Sequence, residues 1–223
     1  VYVVADVYHT FLEKLTERAA RLRPGEDREA DYGPMTMPSQ IEVIEKHIAD
    51  ALARGGRPVV GGMASIRKPY VGPVILADVP QESRAVTDET FGPTVTVTPV
   101  ADLDEAVALA NASQYGLGAS VFAGNKKDAM SAARGLRSGM TAVNGVMSWA
   151  GIPSLPFGGS GDSGFGRIHG ADGLREFTRP KSIARQRMRP LANLTSFTRT
   201  DADLRKALTM ATLLHGRRYR KPS

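Results

Sequence analysis

The chain has 223 residues, 42% of them hydrophobic and 23% charged, which is enough for the core of one large domain or two small ones. It contains no Cys, so disulfides, thiolate metal sites and a thiol nucleophile of its own are excluded, and His9, His47, His169 and His215 show no ligand spacing that would suggest a metal. The net charge of +6 is uneven: from Arg179 onward 12 Lys or Arg stand against Asp201 and Asp203, a net +10, which leaves −4 for residues 1–178.

Residues 1–4, all apolar, read as a buried strand. Nothing there resembles a basic and apolar leader, and no apolar run approaches the ~20 residues of a membrane span, so the cytoplasm is the expected location. From Val7 the positions Phe11, Leu15, Ala19 and Leu22 recur at helical spacing, and Pro24-Gly25 stops that helix. Residues 26–38 form a polar loop. Ser39 with Glu42 has the pattern of a capping box ahead of a helix with Ile41, Ile44, Ile48 and Leu52 facing inward, closed by Gly55-Gly56. Residues 58–62 and 71–79 read as strands.

Asp102 and Glu105 repeat the capping pattern for a helix with Leu103, Ala106, Val107 and Ala110 inside, followed by a strand over 119–123. Asn125 caps a third helix with Ala129, Ala132, Ala133 and Leu136 inward, and a strand follows over 140–144. Strand, helix, strand, helix, strand is the alternation of a parallel sheet with crossover helices, an α/β fold. Beyond Pro180, Leu204, Leu208, Ala211 and Leu214 or His215 predict a short amphipathic helix ahead of the basic run 217–221. The basic tail suits either an anionic partner or a solvated extension; without interleaved aromatics or a nucleic-acid motif, nucleic-acid binding is not the expectation.

One stretch carries chemistry. Asp88-Glu89-Thr90-Phe91-Gly92-Pro93-Thr94 runs into alternating Val95-Thr96-Val97-Thr98. A Gly-Pro turn before β-branched residues marks the start of a strand. In extended chain Glu89 and Phe91 would face one way, offering a carboxylate for two hydroxyls and a ring for a flat heterocycle. The plainer alternative is an exposed acidic turn with Phe91 in the core. Gly159-Ser160-Gly161-Asp162-Ser163-Gly164 matches the dinucleotide fingerprint by letter, but residues 149–157 before it contain Pro153 and Pro156 and form a loop, not the strand that a phosphate-binding turn requires.

Glu-Thr-Phe-Gly-Pro at 89–93, Asn-Ala-Ser-Gln-Tyr-Gly-Leu at 111–117, Ser-Val-Phe at 120–122, Gly-Met-Thr-Ala-Val-Asn at 139–144 and Pro-Phe-Gly-Gly at 156–159 together resemble the NAD(P)-dependent aldehyde dehydrogenase superfamily, over residues 1–187. The resemblance implies the catalytic-domain fold of that family over residues 1–180, with parallel sheet and crossover helices. It implies an oligomerisation strand over 181–189 that joins a neighbouring subunit in a dimer or tetramer, and leaves 190–223 as a basic extension. It also implies NAD or NADP as cofactor and an aldehyde, such as a semialdehyde, as substrate. Glu89 would bind the nicotinamide ribose, Phe91 would lie beside the nicotinamide ring, and Phe157 and Trp149 would line the aldehyde tunnel. Asn144 would brace a strand, while Arg167 and His169 would serve loops and interfaces. The family's nucleophilic Cys, general-base Glu and oxyanion Asn would fall upstream of Val1, so the chain resembles a C-terminal portion of the enzyme. The rival expectation is a non-catalytic relative that acts as a structural or interaction subunit.

Overall fold

The computed structural model describes residues 1–188, 194 and 197–215 of the chain. It divides into two units, residues 1–178 and residues 179–223.

In the first unit, β1 (Tyr2–Val4) leads without a turn into α1 (Ala5–Ala19), and α2 (Pro38–Ala53) follows the polar loop. Then come β2 (Arg57–Val60), the short ribbon of β3 (Ile66–Arg67) and β4 (Tyr70–Val71), β5 (Val74–Ala77), the single-turn α3 (Arg84–Thr87) and β6 (Thr94–Val100). α4 (Leu103–Asn111), β7 (Gly118–Val121), α5 (Lys126–Gly135), β8 (Met140–Val143) and α6 (Gly170–Glu176) complete it. One sheet has the order β1-β6-β5-β2, with β1, β6 and β5 parallel and β2 antiparallel at the edge. β7 and β8 form a separate parallel pair crossed by α5. The chain is therefore α/β with parallel elements, but the expected single run of parallel strands is split: β6 and β7 do not pair.

β5 shows why the core has two faces. Its four residues are all buried; Val74 and Leu76 pack with Ile41, Ile44 and Ile48 of α2, while Ile75 and Ala77 pack with Tyr8, Leu12 and Ala19 of α1. A strand covered by a helix on each face reads as a continuous apolar run because alternate side chains enter opposite layers.

Several local expectations are corrected. α1 buries Tyr8, Leu12 and Ala19, whereas Phe11 is exposed and Leu22 lies beyond the helix end. The sequence offers two overlapping apolar stripes that share Leu15 and Ala19, and packing on β1 and β6 selects the one through Tyr8 and Leu12. α2 starts two residues earlier than the capping-box pattern suggests: Pro38 occupies its first turn, Met37 is the cap and no side chain caps it. The strand expected over 71–79 is broken at Gly72-Pro73 into β4 and β5. In contrast, Asp102 Oδ1 accepts from the Glu105 N–H at 2.9 Å while Glu105 Oε2 accepts from the Ala101 N–H at 2.6 Å, and Asn125 Oδ1 accepts from the Lys127 N–H at 2.8 Å. These caps start α4 and α5 where the sequence places them.

Asp50, near the end of α2, joins that helix to α3. It accepts from Arg54 Nε at 2.9 Å, from the Ser83 hydroxyl at 2.8 Å and from the Arg84 N–H at 2.9 Å. The Arg54 hydrogen bond foremost, then the backbone and hydroxyl donors, hold its carboxyl down at about 2. The folded value lies below the ordinary carboxylate value of about 4, so the stabilisation is full above that pH and is lost as pH falls through about 2. Urea midpoints recorded from pH 5 down to pH 2 are expected to fall less steeply in Asp50→Asn than in the parent; equal slopes would show that Asp50 is not linked to folding.

In the second unit, α7 (Asp201–His215) is the helix the tail periodicity predicts. Thr200 and Asp203 cap it reciprocally: Thr200 N–H and hydroxyl donate to Asp203 Oδ2 at 3.0 and 2.8 Å. Residues 181–188 carry no regular structure in the single chain, and residue 189 and the run 217–221 lie outside the described residues. No described helix is long and apolar enough to cross a membrane, and no group of metal-binding side chains is present among the described residues.

Candidate functional site

The motif loop, residues 88–93, lies between α3 and β6. It is not extended in the way the spacing suggests: Phe91 takes the left-handed conformation, with φ 42°. Phe91 is also 71% exposed, which overturns the alternative that places it in the core. Glu89 is exposed too, and its carboxylate has no hydrogen-bond or ion-pair partner among the described residues. Two side chains that general tendencies would pair or bury are both presented to solvent.

Between them, Thr90 is drawn inward. Gln40 Nε2 donates to the Thr90 carbonyl oxygen at 2.6 Å, and His47 Nδ1 lies 2.9 Å from Thr90 Oγ1. His47 is buried and its other nitrogen stands 3.9 Å from Asp88 Oδ2. Burial pushes the His47 pKa below its ordinary value, with Asp88 opposing the shift, so the ring is neutral at pH 7. Gly92 lies against Ile44, and a Cβ there would stand 2.5 Å from Ile44 Cδ1. A side chain at this position would have to displace the end of the Ile44 side chain.

Glu89 stands at a cavity of about 630 Å³, whose other walls include Ser113, Tyr115, Leu117, Ser138 and Ser160. Those walls are knitted together by backbone bonds. The Gly116 carbonyl accepts from Gly139 N–H at 2.9 Å and Ser160 N–H at 3.0 Å, the Gly116 N–H donates to Ser163 Oγ at 3.1 Å, and Asp162 N–H donates to the Gln114 carbonyl at 3.0 Å. The run of 159–164 that mimics a phosphate-binding fingerprint is thus a loop folded onto the 114–116 turn. Gly161 has φ 61°, and a side chain there would collide with the Gln114 carbonyl. Arg167 supports the same loop, donating to the Gly159 and Gly166 carbonyls at 2.8 and 2.6 Å.

Two asparagines fasten the surroundings of the β7–β8 pair, Asn111 tying the end of α4 to the end of α5 and Asn144 joining the chain just after β8 to that just after β7. Asn111 Nδ2 donates to the Gly135 carbonyl at 2.8 Å while its Oδ1 accepts from Arg137 N–H at 2.7 Å. Asn144, at φ 52°, accepts from the Ala123 N–H at 3.0 Å and donates to the Ala123 carbonyl at 3.1 Å.

Trp149 and Phe157 stand together but apart from Glu89. Trp149 is buried with Met140 and Ala142, its ring lies over Gly118, and it meets Phe157 edge to face at 5.5 Å. Phe157 in turn meets His169 at 5.8 Å. Neither lines the Glu89 cavity. The sequence pattern brings forward Glu89, Phe91, Trp149 and Phe157; it misses Thr90, Gln40 and His47, whose roles depend on contacts 43 and 50 residues apart.

The arrangement of parallel strands and crossover helices is that of solved aldehyde dehydrogenases. Lactaldehyde dehydrogenase from Escherichia coli superposes with a TM-score of 0.74 at 32% identity, covering 79% of this chain and 38% of that one. Aldehyde dehydrogenase 21 from Physcomitrella patens, solved in complex with the reaction product succinate, gives 0.69 at 29% identity, covering 74% and 34%. The chain belongs to the aldehyde dehydrogenase family, whose model matches residues 1–183. A Mycobacterium ulcerans protein bearing the name "Putative succinate-semialdehyde dehydrogenase NADP(+) 2" is 39% identical over 196 residues, 84% of this chain and 37% of that protein. The 4,4'-diapolycopene aldehyde oxidase of a Methylomonas species is 38% identical over 189 residues, 85% and 35%. The chain therefore spans little more than a third of the length of these curated relatives.

Proposed function

We propose that these residues are the C-terminal part of an enzyme that oxidises an aldehyde to its carboxylic acid with NADP+ or NAD+, and that a semialdehyde is the substrate class. What carries this reading is the loop of residues 88–93, in a member of this family, with an unpartnered carboxylate at Glu89 beside a cavity and an exposed ring at Phe91. A carboxylate can accept both hydroxyls of a ribose, and an aromatic face suits the nicotinamide. NAD(P)+ would supply the hydride acceptor. The names of the mycobacterial relative and of the succinate complex support the semialdehyde.

The covalent step of such an enzyme is attack of a thiolate on the aldehyde carbon, hydride loss to give a thioester, and hydrolysis that returns the thiol. The 223 residues hold no Cys, so the nucleophile comes from a segment outside them. This chain's share is to orient the cofactor through Glu89 and Phe91, with Phe157 and Trp149 shaping the aldehyde side. Residues 181–189 serve as the strand by which subunits associate.

The same absence of Cys favours a second reading, a non-catalytic subunit. The polypeptide isolated from its source cells separates the two. A mass well above 23.9 kDa together with NADPH formation from succinate semialdehyde supports the enzyme; a mass of 23.9 kDa without dehydrogenase activity supports the subunit. In the active polypeptide, Glu89→Gln is expected to raise the KM for the cofactor by roughly 10- to 100-fold, the weight of a charged hydrogen-bond acceptor. An unchanged KM would remove Glu89 from the site.

A further inference from the structure

One stripe of α2 touches the motif loop at every second residue. Gln40, Ile44 and His47 stand at i, i+4 and i+7, on a single helix face. Ile44 meets Gly92, Gln40 holds the Thr90 carbonyl, and His47 reaches the Thr90 hydroxyl and faces Asp88. Glu89 and Phe91, in between, are exposed, and of residues 88–92 Thr90 alone is half-buried.

We infer that His47, assisted by Gln40, is a positioning residue for the cofactor: by holding Thr90 inward it sets where the Glu89 carboxylate and the Phe91 ring stand. This rests on the roles proposed above for Glu89 and Phe91. Loop residues 88–93 lie outside any helix or strand, so no ladder of backbone bonds fixes them. The two ends are held by backbone bonds, Asp88 N–H to the Arg84 carbonyl and Val74 N–H to the Pro93 carbonyl; between them the two bonds to Thr90 and the Gly92 contact supply the anchorage. The neutral ring suits the task. With its proton on Nε2, towards the Asp88 carboxylate, Nδ1 is free to accept from the Thr90 hydroxyl. Asp88, Asp50 and Arg84 are the charged groups whose fields act on the ring.

The effect would be felt as geometry. Losing the bond lets Thr90 swing, and a carboxylate displaced by about an ångström no longer meets both hydroxyls of a diol. Binding of the cofactor then weakens, while the bond-making steps, which belong to other residues, keep their rate once it is bound.

Backbone 15N relaxation of the 223-residue chain tests the first half. His47→Ala and Thr90→Val are each expected to remove order from residues 89–92, whose order parameters should fall from about 0.85 to about 0.6 or less while β5 and β6 keep theirs. His47→Gln, which retains an acceptor, is expected to restore most of that order. In the active polypeptide the same variants should raise the KM for the cofactor about 5- to 10-fold with kcat within about twofold, and the double variant should be no worse than either single one. Unchanged order parameters at 89–92 would overturn the inference, as would a fall shared equally by β5 and β6, which would make His47 a general stabiliser. If the loop responds as expected but Glu89→Gln leaves the KM unchanged, the cofactor role of Glu89 falls and that of His47 falls with it, while the anchorage of the loop stands.

Discussion

Trp149→Ala is expected to lower the stability of the 1–178 unit by about 3 to 5 kcal/mol. The indole is only 8% exposed and fills the space over Gly118, between Met140, Ala142 and Phe157. Removing it leaves a void against a glycine, which has no side chain to move in, and strips Phe157 of its edge-to-face partner. Trp149→Phe should cost much less. The buried indole N–H has no hydrogen-bond partner, so its removal relieves an unsatisfied donor while an aromatic ring is kept. Because Trp149 is the chain's single Trp, the transition must be followed by circular dichroism rather than by intrinsic fluorescence of the variant. A loss below about 1 kcal/mol in Trp149→Ala would mean that the indole is not part of the core.

The second large effect is expected at Ile44. It is fully buried in the α2 layer, against the face of the sheet that carries Val74 and Leu76. Ile44→Ala should cost about 2 to 5 kcal/mol in urea unfolding, and it should also loosen the motif loop, since the same side chain backs Gly92. Phe91→Ala provides the contrast. Although Phe is the larger residue, at 71% exposure its removal is expected to change stability by less than about 0.5 kcal/mol, with its consequences confined to cofactor binding. If the two substitutions exchanged ranks, the assignment of Ile44 to the core and Phe91 to the ligand would be reversed.

These two residues also show how much the sequence reveals. Ile41, Ile44 and Ile48 announce α2 through their spacing, and the Asp102–Glu105 and Asn125 caps announce α4 and α5, because each signal is complete within a few residues. The inner face of α1 is misread as the stripe through Phe11, since a second apolar stripe through Tyr8 and Leu12 overlaps it and the partner that chooses between them is β6, distant in the chain. The break between β6 and β7 is likewise a matter of which strands find partners, which local periodicity does not encode. At the loop, Glu89 and Phe91 stood out by residue type. The side chains that hold them did not: a glutamine and a histidine on an otherwise ordinary amphipathic helix become informative only when the fold carries them to Thr90.

The asparagine clip at the end of β8 bears on how the protein ages. Asn144 is followed by Gly145, and an asparagine before glycine is prone to cyclise, because the unhindered glycine nitrogen attacks the side-chain amide and releases ammonia. While Asn144 holds both backbone groups of Ala123, its amide is kept from that attack, so the closed strand pair shields its own fastener. Each opening exposes it. Hydrolysis of the cyclised form leaves a carboxylate that can still accept from the Ala123 N–H but can no longer donate to the Ala123 carbonyl. The damage would thus accumulate in one direction, each modified molecule opening more readily than the last intact one, and the chemical lifetime of the β7–β8 pair is set by how seldom it breathes.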